Sequence, residues 1–466
     1  MKTIIKSQKS KGFLLTLFLW SAISYGQVDS YRVGVNDSLK VQKIHGGSIS
    51  GVTVSPPTDT IPTNLNISLE YRPRLELRNG FRQLRSDTSL AALFTSHRAR
   101  LNFDIKKKKF AAALSIQDIR TFGAADPKSN AGSIQVFEAW AEPFFTEHFS
   151  IRIGKQRFML DNSRLFAQND WRNNGGTHDA AKLMYKKNRL ESQLLFAWNQ
   201  SSESNYFTDF SPAGFTNYKS LLVSYFKVSS KNDRLTFSTT NFYEGFQYGK
   251  DKNAHQNFRY TNGGRLNYRK EKLNLYAMAF VQWGHNQLGK RLSAFYYQAE
   301  ANYYALVLNV QLGIEYKSGN SANQQQFDKS FQYPYGVAHA FNGTMEYFAN
   351  GFTGSASDFG LVNPYLELSK IFKHKLKIAL KNHVFYSQHL AFSAQKNSYA
   401  PYKYLGFESD FNLTYYPNGY TKIDLGVSAL KASKSMEFIN AGSANYLSYW
   451  TYLQATFTPQ LFSSKK

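Results

Sequence analysis

The chain has no cysteine among its 466 residues. Disulfides, thiolate metal sites and cysteine nucleophiles are therefore excluded, while the redox compartment is left open. Acid is scarce: 32 Asp and Glu stand against 56 Lys and Arg, for a net charge of +24 and a pI ≈ 9.7. That balance asks for an anionic partner, whether nucleic acid, phosphorylated lipid or an acidic polymer. Long apolar runs are missing beyond the N-terminal region, and mean hydropathy is −0.45. No membrane-spanning helix is expected downstream of that region. Signatures of zinc proteases (HExxH), phosphate-binding loops (GxxxxGK followed by Ser or Thr) and serine hydrolases (GxSxG) are absent. The ten histidines are scattered without metal-ligand spacing, so neither an enzyme nor a tightly held cofactor is expected.

Aromatic residues, by contrast, are plentiful: 31 Tyr, 38 Phe and 6 Trp, 16% of the chain. A soluble core does not need that many tyrosines, whereas aromatic girdles at two membrane interfaces do. The N-terminus begins with Lys2, Lys6, Lys9 and Lys11, followed by the apolar run Phe13–Trp20 and small residues up to Gly26. A basic head, a short apolar stretch and small residues read as a secretory signal over 1–26, cut before Gln27. A membrane anchor is the competing reading, but the run falls short of the roughly 18–20 residues that a spanning helix requires. Residues 27–63 are polar and turn-rich, with Gly46-Gly47, Pro56-Pro57 and Pro62, and read as a flexible periplasmic lead-in.

From Asn64 the pattern becomes strict alternation. Leu65, Ile67, Leu69, Tyr71, Leu75 and Leu77 share one face; Asn66, Ser68, Glu70, Arg72, Arg74, Glu76 and Arg78 share the other. A period of two over more than a dozen residues describes a long strand, greasy on one side and wet on the other. The pattern recurs with outward faces at Leu273–Trp283, Leu306–Tyr316, Leu376–Tyr386 and Leu405–Tyr415, whereas Leu221–Val228 fits either phase. About eighteen such segments lie between Asn64 and Phe457. Short connections (among them Lys106–Lys109, Lys187–Arg189 and Lys270–Lys272) alternate with long ones (Gly80–Ala91, Phe158–Gly176, Ser201–Asn217, Ser318–Asp358). Tight periplasmic turns and extended extracellular loops have this asymmetry. The expected fold is all-β, a transmembrane antiparallel β-barrel of about 18 strands over 64–457, with a short tail at 458–466, placed in the cell outer membrane.

Several stretches carry a family likeness: Arg98–Leu101, Arg152–Gln156 running on through Ser163–Leu165 and Asp170–Asn173 to Thr177–Ala180, Ile314–Asn320, Tyr333–Phe348 and Gly406–Asp410. Together they resemble the alginate-export family of outer-membrane porins. The resemblance implies a monomeric eighteen-stranded barrel whose arginine-rich pore passes anionic polyuronate. Lys155 departs from the arginine of the family's glycine–arginine–glutamine run, and the chain continues past the aromatic Phe457 that would end the last strand.

On this phasing Arg72, Arg74, Arg98, Arg100, Arg152, Arg265, Lys377 and Lys381 face the lumen and are the candidate substrate-binding residues. Arginine suits carboxylates because its planar fork donates two parallel hydrogen bonds and keeps its charge. Glu138 and Asp410 join the set as acids expected to orient arginines. The bland alternative is that lumen acids and bases only neutralise one another. His178 beside Asp179 does not make a catalytic dyad, since neighbours on a strand point to opposite faces, and His383 phases inward, away from the lipid-facing wall a barrel lipase would use. Nucleic-acid binding is disfavoured, because the basic residues are spread over many strands instead of forming one patch. Two functions stay open: a channel for anionic, carboxylated oligo- or polysaccharides such as alginate, or a structural or adhesive barrel whose lumen is plugged and whose outer loops do the work. Partners would be that polysaccharide, outer-membrane lipid and periplasmic export or uptake proteins.

Overall fold

The computed structural model describes residues 64–464 apart from 125–132, 213–216, 306–307, 323–325, 338, 349–357 and 394. The signal, the lead-in and Leu306 lie outside the described residues. Strands β1 (Asn64–Asn79), β2 (Ala92–Lys107), β3 (Phe110–Thr121), β4 (Gln135–Pro143), β5 (Phe149–Gln156), β6 (His178–Lys187) and β7 (Leu190–Trp198) are followed by β8 (Ser220–Ser229), β9 (Leu235–Tyr248), β10 (His255–Lys270), β11 (Leu273–His285) and β12 (Arg291–Tyr304). Then come β13 (Asn309–Lys317), β14 (Leu361–Phe372), β15 (Leu376–Ser387) and three last strands, Tyr404–Asn418, Thr421–Ala432 and Ser448–Phe457. Each pairs antiparallel with its neighbour in sequence, and the sheet closes where β1 meets the last strand, Tyr71 opposite Phe457 and Asn79 opposite Tyr449. The result is a closed 18-strand barrel. Closure removes the edges that an open sheet would expose to lipid.

Local sequence sets the turns. The two-residue connection after β6 puts Asn188 at φ 53°, and the one after β10 puts Glu271 at φ 49°; hairpins that follow the right-handed strand twist need such positive angles. Alternation is realised most cleanly in β11, where Asn274, Tyr276, Met278, Phe280 and Gln282 are buried and Leu275, Ala277, Ala279, Val281 and Trp283 are exposed on the outer wall. In β1 Arg72, Arg74 and Glu76 are buried, as the phasing requires, together with Asn79 at the end of the strand.

The structure settles one point the sequence leaves open, corrects another and extends a third. Leu221, Val223 and Tyr225 settle the phase of β8: they point inward, leaving Phe226 and Val228 on the outer wall. Leu405, expected to face lipid, is buried at 1%. A bulge between Phe385 and Tyr386 makes Tyr404 oppose Tyr386 and Gly406 oppose Phe385, so Leu405 is the extra residue and turns inward. Finally, the chain after Phe457 does not leave the wall: Gln460–Ser463 pairs with Asn66–Ser68 of β1.

The lumen is not empty. One apolar core joins Leu195, Leu221, Val223, Phe242, Met278 and Phe280 of the inner wall to Phe158, Leu165 and Phe166 of loop 157–177 and to Phe331 and Tyr335 of loop 318–360. The two loops pair with each other there: Tyr335 donates its amide to the carbonyl of Leu165 at 2.9 Å, Ala167 donates to that of Tyr335 at 3.0 Å, and Val337 to that of Ser163 at 2.9 Å. A second core gathers Leu84, Met345, Tyr347, Phe359, Phe385 and Leu405 with Met436 of the short helix Lys434–Ile439.

Candidate functional site

The second half of loop 157–177 crosses the lumen to the arginines of β1 and β2. Arg98, fully buried, donates from Nε to Glu70 at 3.0 Å, from Nη1 to Asp170 Oδ1 at 2.9 Å and from Nη2 to Asp170 Oδ2 at 3.2 Å. Arg72 donates to the carbonyls of Asp170 at 2.7 Å and Arg172 at 3.0 Å and to Asn173 Oδ1 at 3.2 Å. Arg74 donates to Glu76 at 3.0 Å and to the Trp171 carbonyl at 3.1 Å, with its guanidinium 4.5 Å from the Trp171 ring. Arg100 grips Gln117 at 2.7 Å, lies 3.5 Å from Asp170 and stacks on Phe137 at 3.5 Å. Burial alone would raise the Asp170 carboxyl; Arg98, then Arg72 and Arg100, outweigh it and hold it below the usual carboxylate value. Four of the arginines singled out from sequence therefore converge, and what they hold in this structure is the loop.

The remaining candidates are dispersed. Arg152 forks onto Glu142 at 2.8 and 2.6 Å and stacks on Trp140 at 3.7 Å. Glu138 pairs with an arginine, Arg157, at 2.7 Å. Asp410 does not: it accepts from the Thr344 hydroxyl at 2.5 Å and sits 3.9 Å from His383, so it pins a loop instead of orienting an arginine. The correction has a simple cause, since Glu408 and Asp410 face the turn at Gly343–Met345, where the Thr344 hydroxyl and the backbone amides of Thr344 and Met345 are the donors at hand. Gly343 has φ 76°, and a Cβ there would come within 2.5 Å of the Glu408 carboxylate; only glycine lets the loop descend this far. Lys381 donates to the Ala340 carbonyl at 3.0 Å, and Lys377, half exposed, pairs with Glu367 at 3.5 Å. His178 is buried among Phe158, Phe166, Tyr218 and Tyr335, whereas Asp179 is exposed on the other face. His383 points inward, and Asn363 and its Nδ1 lie 3.0 Å apart.

Arg265 stands apart. It lies over Tyr276 at 4.3 Å and lines a polar cavity of about 380 Å³ with Lys227, Arg269, Asn267, Glu191 and Asp161. Lys227, Arg269 and Glu191 are close to the short turns, so this vestibule opens at the periplasmic end of the lumen.

Sequence reasoning missed the residues that tie the loops together. Arg164 donates to Glu315 at 2.5 Å, to the Val337 carbonyl at 2.7 Å and to Asn342, which also bonds Glu315. Arg259 forks onto Glu244 at 2.8 and 2.6 Å, and Tyr335 donates to the same carboxylate at 2.7 Å. Towards the outer end, Glu346 is engaged by Arg82 and, at 3.1 Å, by His339, whose ring stacks on Trp171 at 4.4 Å. Burial pushes the Glu346 carboxyl up, but His339 and Arg82 outweigh it and bring it to about 2. Arg164, Asp170, Glu315 and Glu346 all lie in the stretches with family likeness; Glu315 is on β13, but its partners Arg164 and Asn342 are in loops, which have no period from which facing can be read.

The family described as alginate export matches residues 63–447. The chain belongs to that family. It is an outer-membrane barrel of the porin kind, a channel by family and by fold. No curated protein matches this alginate-export barrel. Among solved structures it is similar to OpdK of Pseudomonas aeruginosa, at 11% identity over 85% of this chain and 98% of that one, with a TM-score of 0.54. It is also similar to OccK9 (OpdG) of the same organism, at 10% identity over 85% and 98% with a TM-score of 0.56. OccAB1 of Acinetobacter baumannii gives 15% identity over 85% and 97%, again with 0.56. At these identities the likeness is one of fold.

Proposed function

We propose that this outer-membrane channel passes anionic, carboxylated oligo- or polysaccharides such as alginate along the arginines of its lumen. The observation that carries the reading is the convergence of Arg72, Arg74, Arg98 and Arg100 on one carboxylate and a run of neutral oxygens from Asp170 to Asn173. A uronate unit presents the same acceptors, a carboxylate flanked by hydroxyls. Arg265, Arg269 and Lys227 of the periplasmic vestibule, with Arg152, Lys377 and Lys381, would extend the positive path, each contact strong enough to attract and weak enough to release. Glu138 sets Arg157 and Asp410 holds loop 318–360. OpdK has been solved with vanillate, a carboxylate held by a barrel of this fold, and that supports the substrate class. Passage would require substrate carboxylates to take the place of Asp170 on the arginines.

The cross-pairing of the two inward loops favours a second reading, a barrel plugged in its resting state with its outer loops as the working part. Planar-bilayer recordings separate the two. The channel reading expects anion preference in the wild type, reversed by Arg98→Glu with Arg100→Glu, and block by oligouronate. Cation preference in the wild type, or no conductance even after residues 163–175 are deleted, would leave the plugged reading standing.

A further inference from the structure

The outer wall carries polar side chains where lipid tails are expected. Ser224 of β8, Asn241 of β9 and Asn262 of β10 lie side by side in one row on the exterior face. Asn241 donates to Ser224 at 3.2 Å, Asn262 to Asn241 at 3.0 Å, and Trp283 of β11 donates its indole N–H to Asn262 at 2.8 Å. The next row outward is aromatic. Tyr243 opposes Tyr260, which opposes Trp283, with ring centroids 5.7 and 4.2 Å apart. It lies on the side of the long loops, so it is the outer interfacial girdle, at headgroup level. Two residues of strand separate the rows, about 7 Å along the strand, or about 5 Å of depth at a tilt near 45°. That is where an acyl chain joins its headgroup.

Below the polar row, towards the periplasm, small residues leave a shallow, open depression in the wall. Gly264, Ala277, Ala279 and Ala299 form the floor of an exterior groove of about 720 Å³, with Phe237 and Tyr297 as its sides. The floor at Gly264 is kept bare: a Cβ there would meet the Ser238 carbonyl at 2.7 Å. Amides in hydrocarbon are costly unless a partner meets their remaining donors and acceptors, and an apolar channel ending at amides fits a ligand with a tail and a polar linkage.

We propose that this groove is a lipid site, taking one acyl chain of an outer-leaflet glycolipid whose chain is attached through an amide. The chain lies over Gly264, Ala277 and Ala279, and its amide pairs with the Asn241 and Asn262 carboxamides, donor to acceptor in both directions. A second copy of the barrel is the rival occupant, but two concave grooves face to face leave a void and bring no partner to the amides.

The test uses the full barrel extracted from outer membranes in mild detergent, with bound lipid counted by native mass spectrometry. It is repeated after reconstitution with lipid A, whose chains are amide-linked, or with phosphatidylethanolamine, whose chains are ester-linked. The wild type is expected to retain lipid A, with occupancy falling about tenfold in Asn241→Leu/Asn262→Leu and in Ala279→Phe, which fills the groove. Leucine suits a lipid-facing wall, so both variants are checked for barrel closure by heat-dependent gel migration. Equal lipid A retention by wild type and closed variants overturns the proposal, as does preferential retention of phosphatidylethanolamine. Because the chain has no cysteine, Ala277→Cys gives a single reporter, and efficient dimer cross-linking in membranes would assign the groove to a second copy instead.

Discussion

Loop 157–177 spans the lumen, and its two halves are held by different physics. From Phe158 to Ala167 it lies against the apolar inner wall of β7–β12, with Phe166 stacked on Phe158 at 5.2 Å and edge-on to Phe242 at 5.6 Å. From Asp170 to Asn174 it lies against β1–β3, where guanidinium and amide groups hold its carboxylate and carbonyls, beside the ring of Trp171 packed on His339, Trp450 and Tyr452. Hydrophobic burial has no competitor in an aqueous pore. A carboxylate on arginines has many: salt, protons, and any polyanion in transit. The contrast assigns the first half the role of anchor and the second the role of a releasable latch.

The largest test strikes the anchor. Phe166→Ala removes a buried aromatic and should cost about 3–5 kcal/mol. The loop would come off the wall, seen as a raised unitary conductance that follows bulk conductivity, with no added opening, between low and high salt. A conductance equal to wild type would mean the apolar contact is not what seats the loop. A smaller effect is expected at the latch. Asp170 keeps about a third of its side chain in water, so Asp170→Asn should cost only about 1–2 kcal/mol. The wild type should show the same loosening as salt rises from about 0.1 to 1 M, where the screening length drops from about 10 to 3 Å, while Asp170→Asn should already be loose at low salt. Salt-independent gating in the wild type would break the distinction.

The smallest effect concerns acid. Asp170 and Glu346 are both held below their ordinary values, Glu346 at about 2. A depressed carboxyl lends stability that is present above its ordinary pKa and is lost as pH falls through the lowered one. Conductance should therefore change little between pH 7 and the ordinary carboxylate range near 4, and rise only as pH drops further towards 2. Opening already in the range of pH 5–6 would mean that these carboxylates are not what holds the loops.

The wall of the barrel was readable because side-chain facing along a strand repeats every two residues, so Leu273–Trp283 and Leu65–Leu77 declare their faces without any partner. Reading weakened where both faces can be apolar. Leu221–Val228 fits two phases because its inner face meets a loop core and its outer face meets lipid. It failed at Leu405, where one extra residue in the strand reverses the facing without altering the composition. Phase alone turns Arg72, Arg98 and Arg100 to the polar face, but their partner, Asp170, lies between 70 and 98 residues further along, in a segment with no period.

By itself, then, the order of residues determined a closed antiparallel cylinder, its lipid face, its inner arginines and the alternation of short turns with long loops, since each of these follows from local periodicity and length. Tertiary structure alone decided what fills the cylinder. Whether loops 157–177 and 318–360 stand outside or fold inward depends on pairings such as Arg164 with Glu315 and Phe166 with Tyr335, over separations of 151 and 169 residues. Contacts of that range arise from shape and charge meeting across the lumen, and no local pattern encodes them.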